Sequence, residues 1–92
     1  MTYKVSFVGD ARAELKQVYD YYGSFGGTKH IERLYVEVQS LVDRLKIMPK
    51  SGMKVGNIRK AVLMKRYVVI YRIYKKNVRI AHIFDGRTDY DL

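Results

Sequence analysis

IRKAVLMKRYVVIYRIYKKNVRIAHIF, residues 58–84, carries three strand signals in succession. Ile58 to Met64 is the first, Tyr67 to Tyr74 the second and Val78 to Phe84 the third, with Lys75-Lys76-Asn77 turning the chain between the last two. Val68-Val69-Ile70-Tyr71 is apolar on both faces, as a central strand would be. Connections this short predict an antiparallel meander, since parallel neighbours need a crossover of a dozen or more residues. Strict alternation puts Val78, Ile80, His82 and Phe84 on one face of the third strand.

Upstream, the period changes. Thr2 to Val8 alternates Tyr3, Val5 and Phe7 against Lys4 and Ser6, a half-buried strand. Asp10 is placed to cap a helix whose apolar positions are Ala11, Leu15, Val18, Tyr19 and Tyr22. Gly23-Ser24-Phe25-Gly26-Gly27 reads as its terminating loop, and Thr28 as the cap of a second helix. There Ile31, Leu34, Tyr35, Val38, Leu41, Val42 and Leu45 recur at three-or-four spacing, until Met48-Pro49 stops the helix. Lys50 to Asn57 reads as a polar loop. The order β-α-α-β-β-β predicts one α+β domain over residues 1–92, a helical hairpin packed on a mainly antiparallel sheet.

Charge is distributed unevenly. Between Met48 and Phe84 there are ten Lys or Arg and no Asp or Glu, whereas residues 1–47 hold seven bases against six acids. The net charge of +9 is therefore concentrated in the sheet half, a one-sign field that attracts a polyanion or an acidic protein. The plainer reading is a basic face with no specific target. Without cysteine the chain forms neither disulfides nor Cys-based metal sites, and His30 and His82 lie far apart. No metal or other cofactor is expected. MTYKVSFVGD lacks the apolar core of a signal peptide, and no apolar run approaches a bilayer span; a cytoplasmic protein is expected.

One chemistry is compatible with these residues: metal-free RNA cleavage, in which the RNA supplies its 2′-hydroxyl as nucleophile. The protein then contributes a base, an acid and cations for the developing phosphorane. Arg59, Lys60, Arg72, His82, Arg87 and Tyr90 are the candidates. Alternation places Arg59 and Lys60 on opposite faces, so both serve one site only if a bulge intervenes. His82 continues an apolar row and reads as a partly buried histidine, and Arg72 shares its face with Val68, Ile70 and Tyr74.

YKVSF followed by DARAELKQVYDYY, then LVDRLKIMPKSG, IRKAVLMKRYVVIYRI and VRIAHIFDGRTD, resembles the RelE/ParE superfamily of toxins from bacterial type II toxin–antitoxin systems over nearly the whole chain. The resemblance implies a toxin neutralised by an antitoxin whose C-terminal segment wraps the basic sheet. RelE-like members cleave mRNA on the ribosome. Arg59 matches their strand base, but Val68 stands where an Arg should follow Tyr67. Arg87 comes one position early, with Thr88 in its place, and Tyr90 is a poor substitute for a late helical tyrosine. ParE-like members are more similar, down to the His–x–x–x–Gly–Arg run from His82 to Arg87. That branch implies a non-enzymatic toxin that binds DNA gyrase. Antitoxin or target contacts are expected at Arg59, Lys60, Arg66, Arg72 and Arg87, with antitoxin apolar anchors between helices and sheet. If the chain is a nuclease, Arg59, His82 and Arg87 are its catalytic candidates, with ribosome and mRNA as partners. An inactive homologue or a basic nucleic-acid-binding module is the remaining reading; the module would bind DNA with a steep salt dependence.

Overall fold

The computed structural model describes residues 2–25 and 27–87. Strand β1 (Lys4–Phe7) leads into helices α1 (Ala11–Phe25) and α2 (Gly27–Ile47). A 3-10 turn at Pro49–Ser51 then delivers β2 (Met53–Val55), β3 (Ile58–Leu63), β4 (Tyr67–Tyr74) and β5 (Asn77–Asp85). The five strands form one sheet in the order β1-β5-β4-β3-β2. From β2 to β5 it is an antiparallel meander, and β1 joins its far edge parallel to β5. Among the described residues no helix is long and apolar enough to cross a membrane.

The α+β class and the helical hairpin on one face of a mainly antiparallel sheet are as the periodicities predict. The helical stripes bury Ala11, Val18, Tyr22, Leu34, Val38, Leu41 and Leu45. Against them the sheet turns Leu63, Tyr67, Val69, Tyr71, Val78, Ile80 and Ile83. Leu34, Leu45, Val69, Tyr71, Val78 and Ile80 are completely inaccessible. Among the described residues no helix lies on the opposite face of the sheet.

Three local features differ from the sequence reading. The Lys50–Asn57 segment is not all loop: Met53, Lys54 and Val55 pair with Lys60, Arg59 and Ile58 as an extra edge strand. All three are exposed, so no apolar alternation marked them. Helix α1 runs through Gly23 and Ser24 to Phe25. Gly23 is a packing glycine rather than a stop, since a Cβ there would lie 3.3 Å from Ile31 Cδ1 across the hairpin. Finally, the β4–β5 register slips by one residue: Ile70 pairs with His82 but Tyr71 with Ile80, leaving Ala81 as a bulge. Beyond it the phase inverts. Ile83 joins Val78 and Ile80 in the core, and His82 and Phe84 leave the row that alternation assigns them.

A helix side chain completes the sheet where β1 runs out. The last parallel bond is Val8 N–H to Ile80 carbonyl. The Ile83 N–H, past the end of β1, instead donates to Glu14 Oε1 at 3.0 Å. Asp10 occupies the N-cap position of α1, its carbonyl accepting from Glu14 N–H at 2.9 Å.

The hairpins bend through unusual residues. Met64 and Lys65, at the centre of the β3–β4 turn, have φ of 59° and 55°, and Lys75 in the β4–β5 turn has φ of 55°. Left-handed backbone costs a side-chain-bearing residue roughly 1–2 kcal/mol.

Candidate binding face

Register and alternation together define what the uncovered face presents. Val62, Val68 and Phe84 form one cross-strand row, and Lys60, Ile70 and His82 the next. Arg72 and Arg79 then sit directly opposite each other, both exposed. Ile70 is buried even here, beneath longer neighbours. Met53, Val62 and Tyr74 are 67%, 62% and 54% exposed, a large apolar share for an unpaired surface. The Arg79 guanidinium lies over the Tyr74 ring at 5.3 Å and the Lys75 ammonium at 5.5 Å. A shallow hollow in the face is lined by Ile58, Ile70, Arg72, Arg79, Ala81 and His82. No carboxylate occurs between Met48 and Phe84, and among the described residues neither Arg72 nor Arg79 has an ion-pair partner. Like charges directly opposite across two strands repel.

At the β3–β4 end the arrangement changes. Arg66 Nε donates to Asp85 Oδ2 at 3.0 Å. Arg87 grips the same carboxylate with its backbone N–H at 2.9 Å, Nε at 3.2 Å and Nη2 at 2.9 Å. The Arg66 guanidinium lies over the rings of Tyr21 and Tyr67, at 4.9 Å and 5.3 Å. The side-chain and backbone bonds from Arg87, then that from Arg66, hold the Asp85 carboxyl well below the usual carboxylate range. Arg66 is pushed up in turn, first by its bond with Tyr21 and then by Asp85.

The sequence candidates are brought together only in part: Arg59 and Arg72 border one hollow, and Arg72 and His82 another. Arg59 is on the helix-covered side, opposite Tyr71, where its Nη1 donates to the carbonyls of Lys50 at 3.1 Å and Gly52 at 2.9 Å. Lys60 and Arg72 are on the uncovered face, which bears out the alternation of Arg59 against Lys60. His82 is half-exposed, its Nδ1 3.5 Å from Glu14 Oε1. Arg87 is at the Asp85 clasp. The three nuclease candidates therefore do not converge: Arg59 faces away from His82, and Arg87 is paired at the far end of the strands. Tyr90 and Thr88 lie outside the described residues. Among the described residues no group of His, Cys, Asp and Glu is placed to hold a metal ion. Arg79 was not among the sequence candidates, although its position between Val78 and Ile80 signals the uncovered face by alternation alone.

Burial pushes the Tyr67 hydroxyl up to about 12, with Tyr22 adding to the effect and the Arg66 charge opposing it. An acid whose folded value exceeds its unfolded value of about 10 contributes its full stability below pH 10 and loses it as pH rises toward 12. Urea unfolding followed by circular dichroism should therefore show a stability loss across pH 10–12 that Tyr67→Phe diminishes.

The family model described as the ParE toxin of type II toxin-antitoxin system, parDE, matches residues 5–90. A solved chain of the chromosomal ParDE toxin–antitoxin system from P. aeruginosa has the same fold, with a TM-score of 0.73 at 19% identity. The match covers 90% of this chain and 95% of that one. No curated relative matches the sequence.

Proposed function

We propose a function from one premise: the chain belongs to the ParE toxin family of type II toxin–antitoxin systems. It acts in the cytoplasm as a growth inhibitor by binding DNA gyrase, without an active site of its own, and an acidic antitoxin neutralises it. The uncovered sheet face carries this reading. A partner segment bringing Asp or Glu to Lys60, Arg72 and Arg79, and apolar side chains to Met53, Val62 and Tyr74, matches it in charge and in hydrophobicity. An arriving anion relieves the opposition of these two exposed arginines. The separation of Arg59, His82 and Arg87 supports binding rather than cleavage, because general acid–base work needs its groups within reach of one bond.

The test is a short induced expression in growing bacteria without antitoxin, following labelled thymidine and labelled methionine uptake over the first minutes. Thymidine uptake should fall first. Earlier loss of methionine uptake would instead favour RelE-like, ribosome-dependent mRNA cleavage and would overturn the gyrase reading.

A further inference from the structure

The turn joining β3 to β4 is made of residues that do not suit its shape. Two successive left-handed central positions call for Asn-Gly or a similar pair, yet Met64 and Lys65 occupy them. Backbone strain of this kind persists where another requirement outweighs it, and it gathers at functional sites. Packing accounts for Met64, which touches the core. It does not account for Lys65, whose side chain is exposed.

Lys65 leads a cationic cluster. With Arg66 and Arg87 it borders a hollow floored by Val62 and Val68 and backed by Gly86. Gly86 N–H donates to the Arg66 carbonyl at 2.7 Å, and a Cβ there would lie 3.0 Å from that oxygen. Two of these three cations, Arg66 and Arg87, share the Asp85 carboxylate, whose oxygens accept from both. Arg87 remains 71% exposed while doing so. The guanidinium already holds a carboxylate through Nε and Nη2, and can exchange it for one arriving from outside.

The geometry points to the turn end of the sheet as a second docking surface, which takes an Asp or Glu carboxylate from a protein target, with an apolar neighbour on Val62 and Val68. This rests on the toxin reading. A protein segment suits the site better than nucleic acid, because a phosphodiester backbone buries nothing on the exposed Val62. The surface lies apart from Arg72 and Arg79, with roughly 17 Å of β4 between Tyr67 and Arg72. The two places also differ in energetics. Exchange of Asp85 for an outside carboxylate gains little net energy and confers selectivity, as suits recognition of a target. Arg72 and Arg79, which no carboxylate among the described residues neutralises, offer the stronger gain to an acidic partner, as suits a neutralising one.

The experiment compares Lys65→Glu, the turn-relaxing Met64→Asn/Lys65→Gly, and Lys29→Glu as a charge control on α2. Growth arrest is titrated against inducer without antitoxin, and inhibition of purified DNA gyrase supercoiling is measured with cell-free-synthesised chains. Lys65→Glu should need at least tenfold more inducer to arrest growth, and Lys29→Glu should match the wild type. The double variant should melt at a higher temperature and still lose toxicity, which separates the surface from the fold. Arrest by either turn variant at wild-type inducer levels overturns the inference, and so does retained arrest with lost neutralisation by antitoxin. If the wild type arrests growth without inhibiting gyrase, the gyrase reading fails alone and the turn comparison still decides this one. A wild type that does not arrest growth sinks both.

Discussion

Arg79→Glu should weaken antitoxin binding by on the order of 100-fold, equivalent to about 2.7 kcal/mol, while making the free domain slightly more stable. The two signs have one cause. Arg79 and Arg72 stand opposite each other on β5 and β4, so a glutamate at 79 converts a repulsive cross-strand pair into an attractive one, worth about 0.5–1 kcal/mol. An incoming acidic segment then meets a like charge where it had met a cation. Lys60→Ala should weaken binding only modestly, because removing a rim charge introduces no repulsion. Calorimetric titration with the cognate antitoxin, beside urea denaturation of the free chain, reads both signs. Unchanged affinity in Arg79→Glu would place the antitoxin elsewhere.

Gly52→Ala should cost about 3–4 kcal/mol of stability, out of the roughly 5–14 kcal/mol a domain of this size holds. The difficulty is space, since Gly52 has ordinary extended backbone at φ −76° and ψ 157°. A Cβ would lie 2.5 Å from the Tyr71 hydroxyl and 2.6 Å from the Lys60 carbonyl oxygen. That hydroxyl is the pin of the 49–52 segment: it donates to the Pro49 carbonyl at 2.7 Å and accepts from Gly52 N–H at 2.9 Å. Displacing it therefore breaks two bonds as well as overpacking the site. Tyr71→Phe alone should cost about 2 kcal/mol through the orphaned Pro49 and Gly52 groups. Combined with Gly52→Ala it should cost less than the sum, because the hydroxyl is one of the clashing atoms. Urea midpoints of the four proteins test this, and strict additivity would contradict the shared contact.

Legibility followed the period of the signal. Leu34, Val38, Leu41 and Leu45 repeat long enough to declare a helix and its buried side, and Val68 to Tyr71 declare a central strand. The short strand Met53–Val55 has three exposed residues and borders no core, so hydrophobic alternation is silent about it. The Ala81 bulge is equally quiet. Alanine suits either face, and one inserted residue moves His82 and Ile83 to sides that counting by twos reverses. For the binding face, alternation was enough to oppose Arg59 to Lys60 and to expose Arg72. It could not show that Arg59 is held by two loop carbonyls, nor that Arg87 closes on Asp85, because both depend on segments that meet only in the folded chain. The left-handed turn at Met64-Lys65 was hidden for the opposite reason, since its residues advertise no turn at all.

The parallel pairing of β1 with β5 also sets a schedule for the protein's manufacture. Lys4 waits for Asn77, and Phe7 for Ile80, before the first strand has a neighbour. At synthesis rates of 5–20 residues per second that wait lasts roughly 4–15 s. Pairings so distant along the chain are the slow step in forming a sheet, since the loop entropy is lost before any contact repays it. A nascent chain on the ribosome therefore has its helices before it has a closed sheet. The basic face is assembled late, and the chain gains this surface only after β5 has been synthesised.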